Sequence, residues 1–306
     1  MHVQRFDPAL PARAAAVLTI GNFDGVHRGH QALIRRTVAT ARGRDWDAVV
    51  VTFDPHPQRV LRAEPVTLLS TLPHRLRLFS GLGADAAAIV PFTPALAELS
   101  AERFLEEHLL SALPVGGLVI GHDFAFGHHR EGTAELLRQL SARHGLSLEM
   151  VPAVTVDGTI VSSTLIREAL AKPDFPAAEE LLGRPWSHFA PVERGERLGR
   201  QLGFPTLNQP AREPLPIPYG IYASWAVVEG QRHPAASSFG VRPTVGQSEP
   251  VLETHLLDFA GDLYGRMVEV IPVHRLREER KFPDLDSLRA QIAEDCRQAR
   301  SWLGKP

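Results

Sequence analysis

Cysteine and long apolar runs are scarce in this sequence of 306 residues. The one cysteine, Cys296, excludes an internal disulfide framework and any metal site built from several thiolates. No apolar run reaches the roughly 18 residues of a membrane-spanning helix, and the amino-terminal segment lacks the apolar core of a signal peptide. We therefore expect a cytoplasmic protein that is neither secreted nor inserted in a membrane.

An excess of either charge is also absent. The chain carries 33 basic and 35 acidic side chains, for a formal net charge of -2, and it has no basic stripe that would indicate a nucleic-acid partner. Hydrophobic residues make up 44% and charged residues 22%, a balance typical of globular proteins. The length allows one large domain or two ordinary ones. These features predict an enzyme or binding protein for small molecules, with a weak homo-oligomer left open.

The first half of the chain alternates short apolar runs with helical patterns. Five runs are typical of buried strands: 14–20, 47–53, 86–92, 116–121 and 146–154. Three segments between them have helical spacing: 30–42, 100–110 and 132–145. Ser100 is placed to cap the second of these helices. The alternation predicts a parallel sheet with helices on both faces, which binds ligands at the carboxyl ends of its strands.

The composition changes after Arg184-Pro185. Glycine and proline become frequent, and the apolar runs become shorter and partly alternating. One strand shows the alternation best, with one face formed by Leu252, Thr254 and Leu256 and the other by Glu253 and His255. This pattern predicts an antiparallel β-barrel in place of a continued parallel sheet. We place the domain boundary near 183–188, which gives domains 1–183 and 184–306.

A helical pattern at 284–303 closes the second half. Its apolar stripe consists of Leu288, Ile292, Cys296 and Ala299. Its position on that stripe predicts that Cys296 belongs to the core and is not a reactive thiol.

The stretch GNFDGVHRGH, residues 21–30, follows the first predicted strand of the parallel sheet, 14–20. A glycine-rich turn before a helix presents backbone N–H groups and the positive end of the helix dipole to an anion. His27 and His30 are three residues apart, so we expect them on one face of the opening turn, with Gly29 leaving room for a nucleotide. Their imidazoles can donate hydrogen bonds to a triphosphate. The motif alone supports a plain glycine turn with surface histidines equally well.

A second phosphate-binding pattern is SSTLIR, residues 162–167. The hydroxyls and amides of Ser163 and Thr164 can bind phosphate or cap the helix that follows. Arg167, one turn further, can neutralise a triphosphate. On its own, this stretch is better interpreted as an ordinary helix cap followed by a solvated charge.

The segment 194–208, RGERLGRQLGFPTLN, is the informative stretch of the second half. Gly195, Gly199 and Gly203 predict a flexible loop whose amides wrap phosphates. Thr206 and Asn208 stand two apart and face the same way in an extended chain, where their oxygens suit Mg²⁺. A Gly-Pro loop that merely enters a strand is an equally good interpretation of this segment alone.

These motifs belong to a longer series. In the first half, GNFDGVHRGH, TFDPHP (52–57), GHDFAFG (121–127) and SSTLIREAL (162–170) resemble, in order and spacing, the adenylyltransferase module of bacterial bifunctional riboflavin kinase/FAD synthetases. In the second half, the motifs that resemble the riboflavin kinase module are GFPTLN (203–208), FGVRPT (239–244), LETHLLDF (252–259), DLYG (262–265) and LREERKF (276–282). The resemblance covers nearly the whole chain.

The resemblance implies a Rossmann-like nucleotidyltransferase domain and a kinase barrel with a terminal helix. Riboflavin, ATP and Mg²⁺ would give FMN, and a second ATP would convert FMN to FAD and pyrophosphate. Glu253 would be the catalytic base of the first step, while His27, His30 and Arg167 would stabilise the departing pyrophosphate. Thr206 and Asn208 would hold the metal. Nucleotide and flavin would contact Gly21, Asn22, Phe23, Asp24, Gly29, Phe53, His56, Pro57, Asp123, Phe124, Ser163, Thr164, Gly199, Gly203 and Pro205.

Several of these residues can also be interpreted as purely structural. Asp123 could equally cap a turn, Phe124 could pack in the core, and Glu253 could be a polar residue on an exposed strand face. We expect a mobile polar loop around His122, His128 and His129, because their spacing matches no known zinc ligand pattern.

Four residues at three places depart from the family pattern. His128-His129 stand where a lysine and a glycine are usual, Leu207 where alanine is usual, and Ser238 where asparagine is usual. Decay at these positions leaves open an enzyme with a single active module. A flavin- or nucleotide-binding regulator without turnover is a second alternative. Glu253 argues against it, since binding alone requires no base.

Overall fold

The computed structural model describes residues 1–5, 15–61, 67–195, 198–212, 214–241 and 249–304. The chain divides into two compact units, Met1–Val66 with Arg75–Ser162 and Thr67–His74 with Ser163–Pro306. We call them the first and the second unit. The second unit begins upstream of the predicted boundary at 183–188. That boundary concerns where the two activities separate, and it stays a prediction.

A six-stranded parallel sheet forms the centre of the first unit, in the strand order β1-β4-β3-β2-β5-β6. The strands are β1 (His2–Arg5), β2 (Ala16–Ile20), β3 (Asp47–Asp54), β4 (Ala86–Pro91), β5 (Val115–Gly121) and β6 (Ser147–Val151). A small hairpin follows, made of β7 (Thr155–Val156) and β8 (Thr159–Ile160). The parallel sheet predicted from the apolar runs is confirmed.

Helices connect these strands. They are α1 (Arg28–Arg42), α2 (Pro57–Leu61), α3 (Leu72–Gly81), α4 (Pro94–Ala97), α5 (Ala101–Arg103), a π-helix (Phe104–Leu110), a 3₁₀ turn (His128–Arg130) and α6 (Ala134–Arg143). Adjacent residues of β2 belong to different apolar clusters. Leu18 packs with Phe104 and Leu137 on one face of the sheet, whereas Val17 packs with Ala41 of α1 on the other. The predicted helices therefore cover both faces of the sheet.

The predicted helix at 100–110 forms with a different hydrogen-bond pattern. Ser100 caps it as expected, because its side chain accepts the N–H of Arg103 at 3.2 Å. From Phe104 onward the segment is a π-helix. Phe104, Leu105 and Leu109 of this segment are buried together in the core.

The second unit contains a six-stranded antiparallel sheet in the order β10-β13-β12-β11-β14-β9. Its strands are β9 (His188–Pro191), β10 (Leu207–Pro210), β11 (Gly220–Val228), β12 (Gln231–Val241), β13 (Pro250–Leu256) and β14 (Met267–Arg277). A single bridge between Glu193 and Asn208 joins the two ends of the sheet, so the barrel is nearly closed. The predicted barrel is confirmed.

Among its described residues, this unit contains the helices α7 (Ser163–Ala171), α8 (Phe175–Leu182), α9 (Leu198–Gln201) and α10 (Leu285–Leu303). Residues of α7 and α8 share one apolar core with the barrel, for example Ile166 and Leu182 with Tyr222. Within the described part of the chain, no helix is long and apolar enough to cross a membrane.

Burial in β13 and α10 tests two sequence patterns. In β13 the predicted alternation is confirmed, since Leu252 and Thr254 are fully buried while Glu253 is partly exposed. In α10, Cys296 is only half-buried, although burial still raises the pKa of its thiol to about 11. The buried neighbour is Asp295. It can be buried because its carboxylate accepts two hydrogen bonds from Arg277, at 2.6 and 2.8 Å.

Candidate active sites

The order of strands in the first unit places three motifs at one edge of the sheet. The chain runs from β2 outward to β3 and β4, then returns to the other side of β2 for β5 and β6. The segments that follow β2, β3 and β5 therefore meet at the carboxyl edge, at the point where the strand order reverses. GNFDGVHRGH, TFDPHP and GHDFAFG supply these three segments.

His27 and His30 lie together at this edge, as their spacing predicts. Their rings stack with centroids 3.6 Å apart and planes 18° from parallel. His27, however, is not part of the helix. It is the N-cap of α1 in an extended conformation, and its Nδ1 accepts the backbone N–H of His30 at 3.4 Å. An accepting Nδ1 places the proton of neutral His27 on Nε2, so Nε2 is the ring nitrogen that carries a donor.

The environment of His30 keeps its imidazole neutral. The ring meets the edge of Phe23 at a centroid distance of 5.2 Å, and among the described residues Nδ1 has no hydrogen-bond partner. Burial makes the largest contribution to a pKa of His30 well below its ordinary value. The nearby charges of His27 and Arg75 lower this pKa further. A neutral His30 can donate a single hydrogen bond at neutral pH.

Two glycines of this motif have a local structural reason. A Cβ on Gly29 would lie 3.1 Å from the His27 ring, so glycine makes room for that imidazole in addition to any nucleotide. A Cβ on Gly21 would lie 3.3 Å from the Phe23 ring. Because Phe23 is 1% exposed and Asp24 is 3% exposed, both side chains support the loop from below. The contacts of these two residues with a ligand stay predictions.

The motif after β3 forms a second wall. Phe53 packs in T-shaped contact with Phe92 at 5.7 Å, and it remains partly exposed. His56 is buried, and its Nδ1 accepts the N–H of Gln58 at 3.2 Å. Pro57 begins the short helix α2, where its missing N–H costs nothing.

The motif after β5 is more exposed. The side chain of Asp123 is 82% accessible, and Phe124 stacks on Phe126 with centroids 5.3 Å apart. The core packing that was one interpretation of Phe124 is therefore present in part. His128 is fastened, because its Nδ1 lies 3.2 Å from the carbonyl oxygen of Ala97 and its backbone N–H donates to Leu99 at 2.8 Å. Across the described residues, no group of three histidine, cysteine or acidic side chains could hold a metal.

The SSTLIR motif falls in the second unit from Ser163 onward. Helix α7 begins at Ser163, and Thr164 is exposed in its first turn. Arg167 is half-buried and donates from Nε to the carbonyl oxygen of Thr67 at 2.7 Å. The roles of these residues toward phosphate stay predictions.

Arg75, in α3, is a site residue that the sequence motifs missed. It is 2% exposed, and its Nη1 donates to the carbonyl oxygen of Asn22 at 2.7 Å and to Thr52 Oγ1 at 3.0 Å. Both terminal nitrogens also reach the carbonyl oxygen of Phe53, at 3.4 and 3.5 Å. The sequence HRLRLF offers no signal that separates Arg75 from the exposed Arg77 two positions later.

In the second unit the candidate site lies on strands. The strand register places Glu253 directly opposite Asn208 on one side and Ser238 on the other. Directly opposed residues project from the same face with Cβ atoms about 4.5–5.5 Å apart. The predicted base, the predicted metal ligand and the unusual serine therefore form one row. Leu207 projects to the opposite face and packs in the core, but it also lines the cavity of Thr206 and Asn208.

The segment before β10 is more ordered than a flexible loop. Gly199 lies in the short helix α9, and a Cβ there would fall 2.5 Å from the carbonyl oxygen of Phe204. Gly203 has a φ of +89° and spends its N–H on Arg200 at 3.2 Å. The turn after α9 thus uses the amide of Gly203. That this loop wraps phosphates through its amides stays a prediction. Glu196 and Arg197 of this motif lie outside the described residues, as do Arg242, Pro243 and Thr244 of FGVRPT.

Thr206 and Asn208 line one small cavity. Arg200, Pro205, Asp262 and Tyr264 are among its other lining residues. Asn208 is buried, and Gly195 lies so close that a Cβ there would fall 2.7 Å from the amide of Asn208. A hydroxyl, an amide and a carboxylate thus border one space together with an arginine. Such a set suits a divalent cation with phosphates.

Glu279 is a second residue that the motifs did not single out as chemical. Its carboxyl group occupies the place that a Cβ on Gly240 would need. Burial raises its pKa, Arg277 opposes that shift, and repulsion from Glu253 raises it further. Glu279 is therefore close enough to the row of Glu253 to act on it electrostatically.

Comparison with known proteins agrees with this arrangement. The FAD synthetase family model matches residues 10–165, and the riboflavin kinase family model matches residues 182–303. The chain is 40% identical to the bifunctional riboflavin kinase/FMN adenylyltransferase of Pseudomonas fluorescens over 95% of this chain and 94% of that protein. It is 39% identical to the protein of the same name from Escherichia coli (strain K12), over 94% and 93% of the two chains.

One solved structure extends the likeness to three dimensions. A crystal structure described as a macrolide-efflux protein from Streptococcus pneumoniae matches with a TM-score of 0.78 at 29% identity, over 96% of each chain. It shares the fold of both units in sequence order. The chain therefore belongs to the family of bifunctional riboflavin kinase/FMN adenylyltransferases, with a FAD synthetase domain followed by a riboflavin kinase domain.

Proposed function

We propose that this protein makes FAD in two steps, each in its own domain. Riboflavin and ATP give FMN and ADP in the barrel, and FMN and a second ATP give FAD and pyrophosphate at the parallel sheet. The observation that carries the proposal is the coexistence of two separate polar sites. One is the histidine pair at the carboxyl edge of the sheet, and the other is the row of Glu253 on the barrel.

In the kinase step, Glu253 is the catalytic base. Its carboxylate takes the proton of the riboflavin 5′-hydroxyl while that oxygen attacks the γ-phosphorus of ATP and the bond to ADP breaks. Asn208 and Ser238 flank Glu253 in the strand register, so the base is held in a fixed direction. Arg200 at the nearby cavity offers a positive charge to the phosphates.

A magnesium ion fits the donor set of this site. Thr206 and Asn208 contribute neutral oxygens on one cavity, and Asp262 adds a carboxylate. Few protein ligands are typical of Mg²⁺, which keeps several waters and binds phosphate oxygens directly. The ion would neutralise charge on the phosphates of ATP.

In the adenylyl transfer, an oxygen of the FMN phosphate attacks the α-phosphorus of ATP, and pyrophosphate leaves. No covalent bond to the protein is required. His27 donates from Nε2 and His30 from its single protonated nitrogen toward the phosphates, and the amino end of α1 adds the helix dipole. Ser163, Thr164 and Arg167 take part as further phosphate ligands in this proposal, and the cation bound to ATP is again Mg²⁺.

Chromatography of the reaction products tests the proposal. Pure full-length protein incubated with riboflavin and Mg-ATP should convert riboflavin to FMN and then to FAD, and neither step should proceed when the divalent ion is chelated. Unchanged riboflavin would contradict the kinase assignment. Accumulation of FMN without FAD would instead favour the alternative in which a single module is active.

The boundary of the two activities is part of the proposal. We expect a fragment of residues 1–183 to convert FMN to FAD and to leave riboflavin unchanged. This fragment retains α7 and α8 but removes the barrel against which Ile166 and Leu182 pack, so its stability should fall. Phosphorylation of riboflavin by a folded 1–183 fragment, judged by circular dichroism, would show that the boundary is misplaced.

The remaining partners follow from the substrates. We propose that the protein binds small molecules and no nucleic acid, because its charge is balanced at 33 basic to 35 acidic side chains. ATP as a co-substrate favours the cytoplasm as the place of action. A weak homo-oligomer remains an open alternative, which sedimentation of the pure protein decides.

A further inference from the structure

Arg75 joins the two loops that surround the histidine pair. Its guanidinium group donates to the carbonyl oxygen of Asn22, in the segment after β2, and to the carbonyl oxygen of Phe53, near the end of β3. Thr52 completes the junction, since its hydroxyl accepts from Arg75 at 3.0 Å and donates to the same oxygen of Asn22 at 3.2 Å. One planar group thus fixes the relative position of two loops that are thirty residues apart in sequence.

The bonds that Arg75 makes are of a kind that only a fork of donors can supply. Its acceptors are two backbone carbonyls and one hydroxyl. Arginine presents several N–H groups in a rigid geometry, whereas lysine is a point charge on a flexible stem. The rigid fork therefore specifies a geometry beyond simple attraction.

The charge of Arg75 is also unusual for its depth. The residue is 2% exposed, and its hydrogen bonds to described residues go to uncharged oxygens. Burial lowers the pKa of the guanidinium, and the carboxylates of Asp24 and Asp54 oppose this shift from a distance. Because a buried cation is costly to keep, its retention needs a reason beyond packing. The same charge helps to keep His30 neutral.

We propose that Arg75 is a positioning residue of the adenylyl transfer, which sets the distance between the 21–24 loop and the 52–57 loop around the reacting phosphates. The inference rests on the proposed function of the histidine pair. It goes beyond the motifs, because Arg75 lies in helix α3, outside all of them. Its described hydrogen bonds go to the carbonyl oxygens of Asn22 and Phe53 and to the hydroxyl of Thr52. A small error in loop position is enough to lower turnover about 10²-fold in enzymes that act mainly by positioning.

Two substitutions test the inference in full-length protein. Arg75→Met removes the fork and the charge, and we expect kcat for FMN to FAD to fall about 10²-fold while riboflavin phosphorylation stays within twofold of the wild type. Arg75→Lys restores the charge without the fork, and we expect it to recover only part of the loss. Arg77→Met, an exposed arginine on the same helix, is the matched control and should leave both activities unchanged.

A milder variant covers the case in which Arg75→Met does not fold. Thr52→Val keeps the shape and removes the hydroxyl, and we expect a several-fold fall in kcat confined to FAD formation. Its effect should not add to that of Arg75→Lys, because both act on one junction.

Other outcomes overturn the inference. They are FAD formation near wild type in Arg75→Lys and Thr52→Val, an equal loss of both activities, or a rise in KM for ATP with kcat unchanged. His30→Ala separates the two levels: if it abolishes FAD formation while the Arg75 and Thr52 variants remain active, the histidine site stands and the positioning role of Arg75 fails.

Discussion

In the first unit the candidate catalytic histidines lie beyond the strands, one at a helix N-cap and one in the first helical turn, whereas in the second unit Glu253 lies within a strand. The direction of Glu253 is set by the ladder, because Asn208 and Ser238 are its direct neighbours. His27 and His30 have no such ladder. They depend on mutual stacking, on Phe23 and on the junction made by Arg75.

This difference determines whether a substitution at each site first changes the chemistry or the geometry. A strand residue keeps its direction through many repeated backbone hydrogen bonds, so loss of one neighbour changes chemistry before it changes geometry. A loop residue keeps its position through a few side-chain contacts, so loss of one contact changes geometry first. Substitutions in the barrel row should therefore separate chemistry from binding more cleanly than substitutions at the sheet edge.

Among the substitutions that compare the two sites, Glu253→Gln should reduce turnover the most. The amide keeps the shape and hydrogen-bonding capacity of the side chain but cannot accept the proton of the riboflavin hydroxyl. We expect kinase turnover to fall by about 10²–10⁴, the range typical of a lost general base. Affinities for riboflavin and Mg-ATP should hardly change, because the lost interaction matters in the transition state. Single-turnover formation of FMN measures the effect.

Glu279→Gln is the matched control for that variant. Glu279 feels Glu253 electrostatically but lies against Gly240, outside the opposed row. Removing its charge should change kinase turnover far less than the change at Glu253, and FMN supplied directly should still become FAD at the normal rate in both variants. Wild-type FMN formation by Glu253→Gln would mean that another group accepts the proton.

His30→Ala is the corresponding change at the sheet edge, with a somewhat smaller expected effect. It removes a donor to the phosphates and also the ring on which His27 stacks, so both chemistry and geometry suffer. We expect FAD formation to fall about 10²-fold or more, while riboflavin phosphorylation stays near wild type. His144→Ala, at the end of α6, is the control. Equal loss of both activities in His30→Ala would indicate a folding role.

Much of the architecture could be predicted from local pattern. The apolar runs mark the strands because a buried parallel strand is apolar on both faces, and the alternation around Glu253 marks a strand with one buried face. The spacing of His27 and His30 also predicts their proximity. Each of these inferences uses residues within a few positions of one another, which is the range over which backbone geometry alone relates side chains.

The features that were missed depend on distant parts of the chain. Arg75 is distinguished from Arg77 only by the carbonyl groups of Asn22 and Phe53, which the fold brings to it. Asp295 replaces Cys296 as the buried residue of α10 because Arg277, on strand β14, supplies a partner for its charge. Neither partner is visible in the helical pattern itself, so a polar residue at such a position is assigned to the surface by default.

A buried histidine of the barrel unit tests whether a lowered pKa alone marks a functional residue. His188, on strand β9 of the barrel unit, resembles His30 in that burial lowers its pKa, here to about 4. It differs from His30 in lying within a strand, where its register partner is Val270 of β14 and not a residue of the row of Glu253. If depressed basicity alone marked function, His188 would matter for the kinase step. We expect that it does not.

His188→Phe should therefore change the pH dependence of stability and leave turnover unchanged. Above pH 6.5 the histidine is neutral in both folded and unfolded protein, so it contributes no pH dependence. As the pH falls below 6.5, the unfolded chain binds a proton that the folded barrel does not bind until about pH 4. The folded state thus loses up to roughly 3 kcal/mol across this window. Phenylalanine removes that loss because it cannot be protonated.

Urea unfolding of the full chain between pH 7 and pH 4.5, followed by the signal of the barrel unit, measures the slope. The wild type should lose stability toward acid more steeply than His188→Phe. Comparing slopes cancels any packing cost that phenylalanine adds at every pH. Parallel curves for wild type and His188→Phe would show that the imidazole is accessible to protons in the folded barrel, and a fall in kinase turnover in the variant would place His188 among the functional residues.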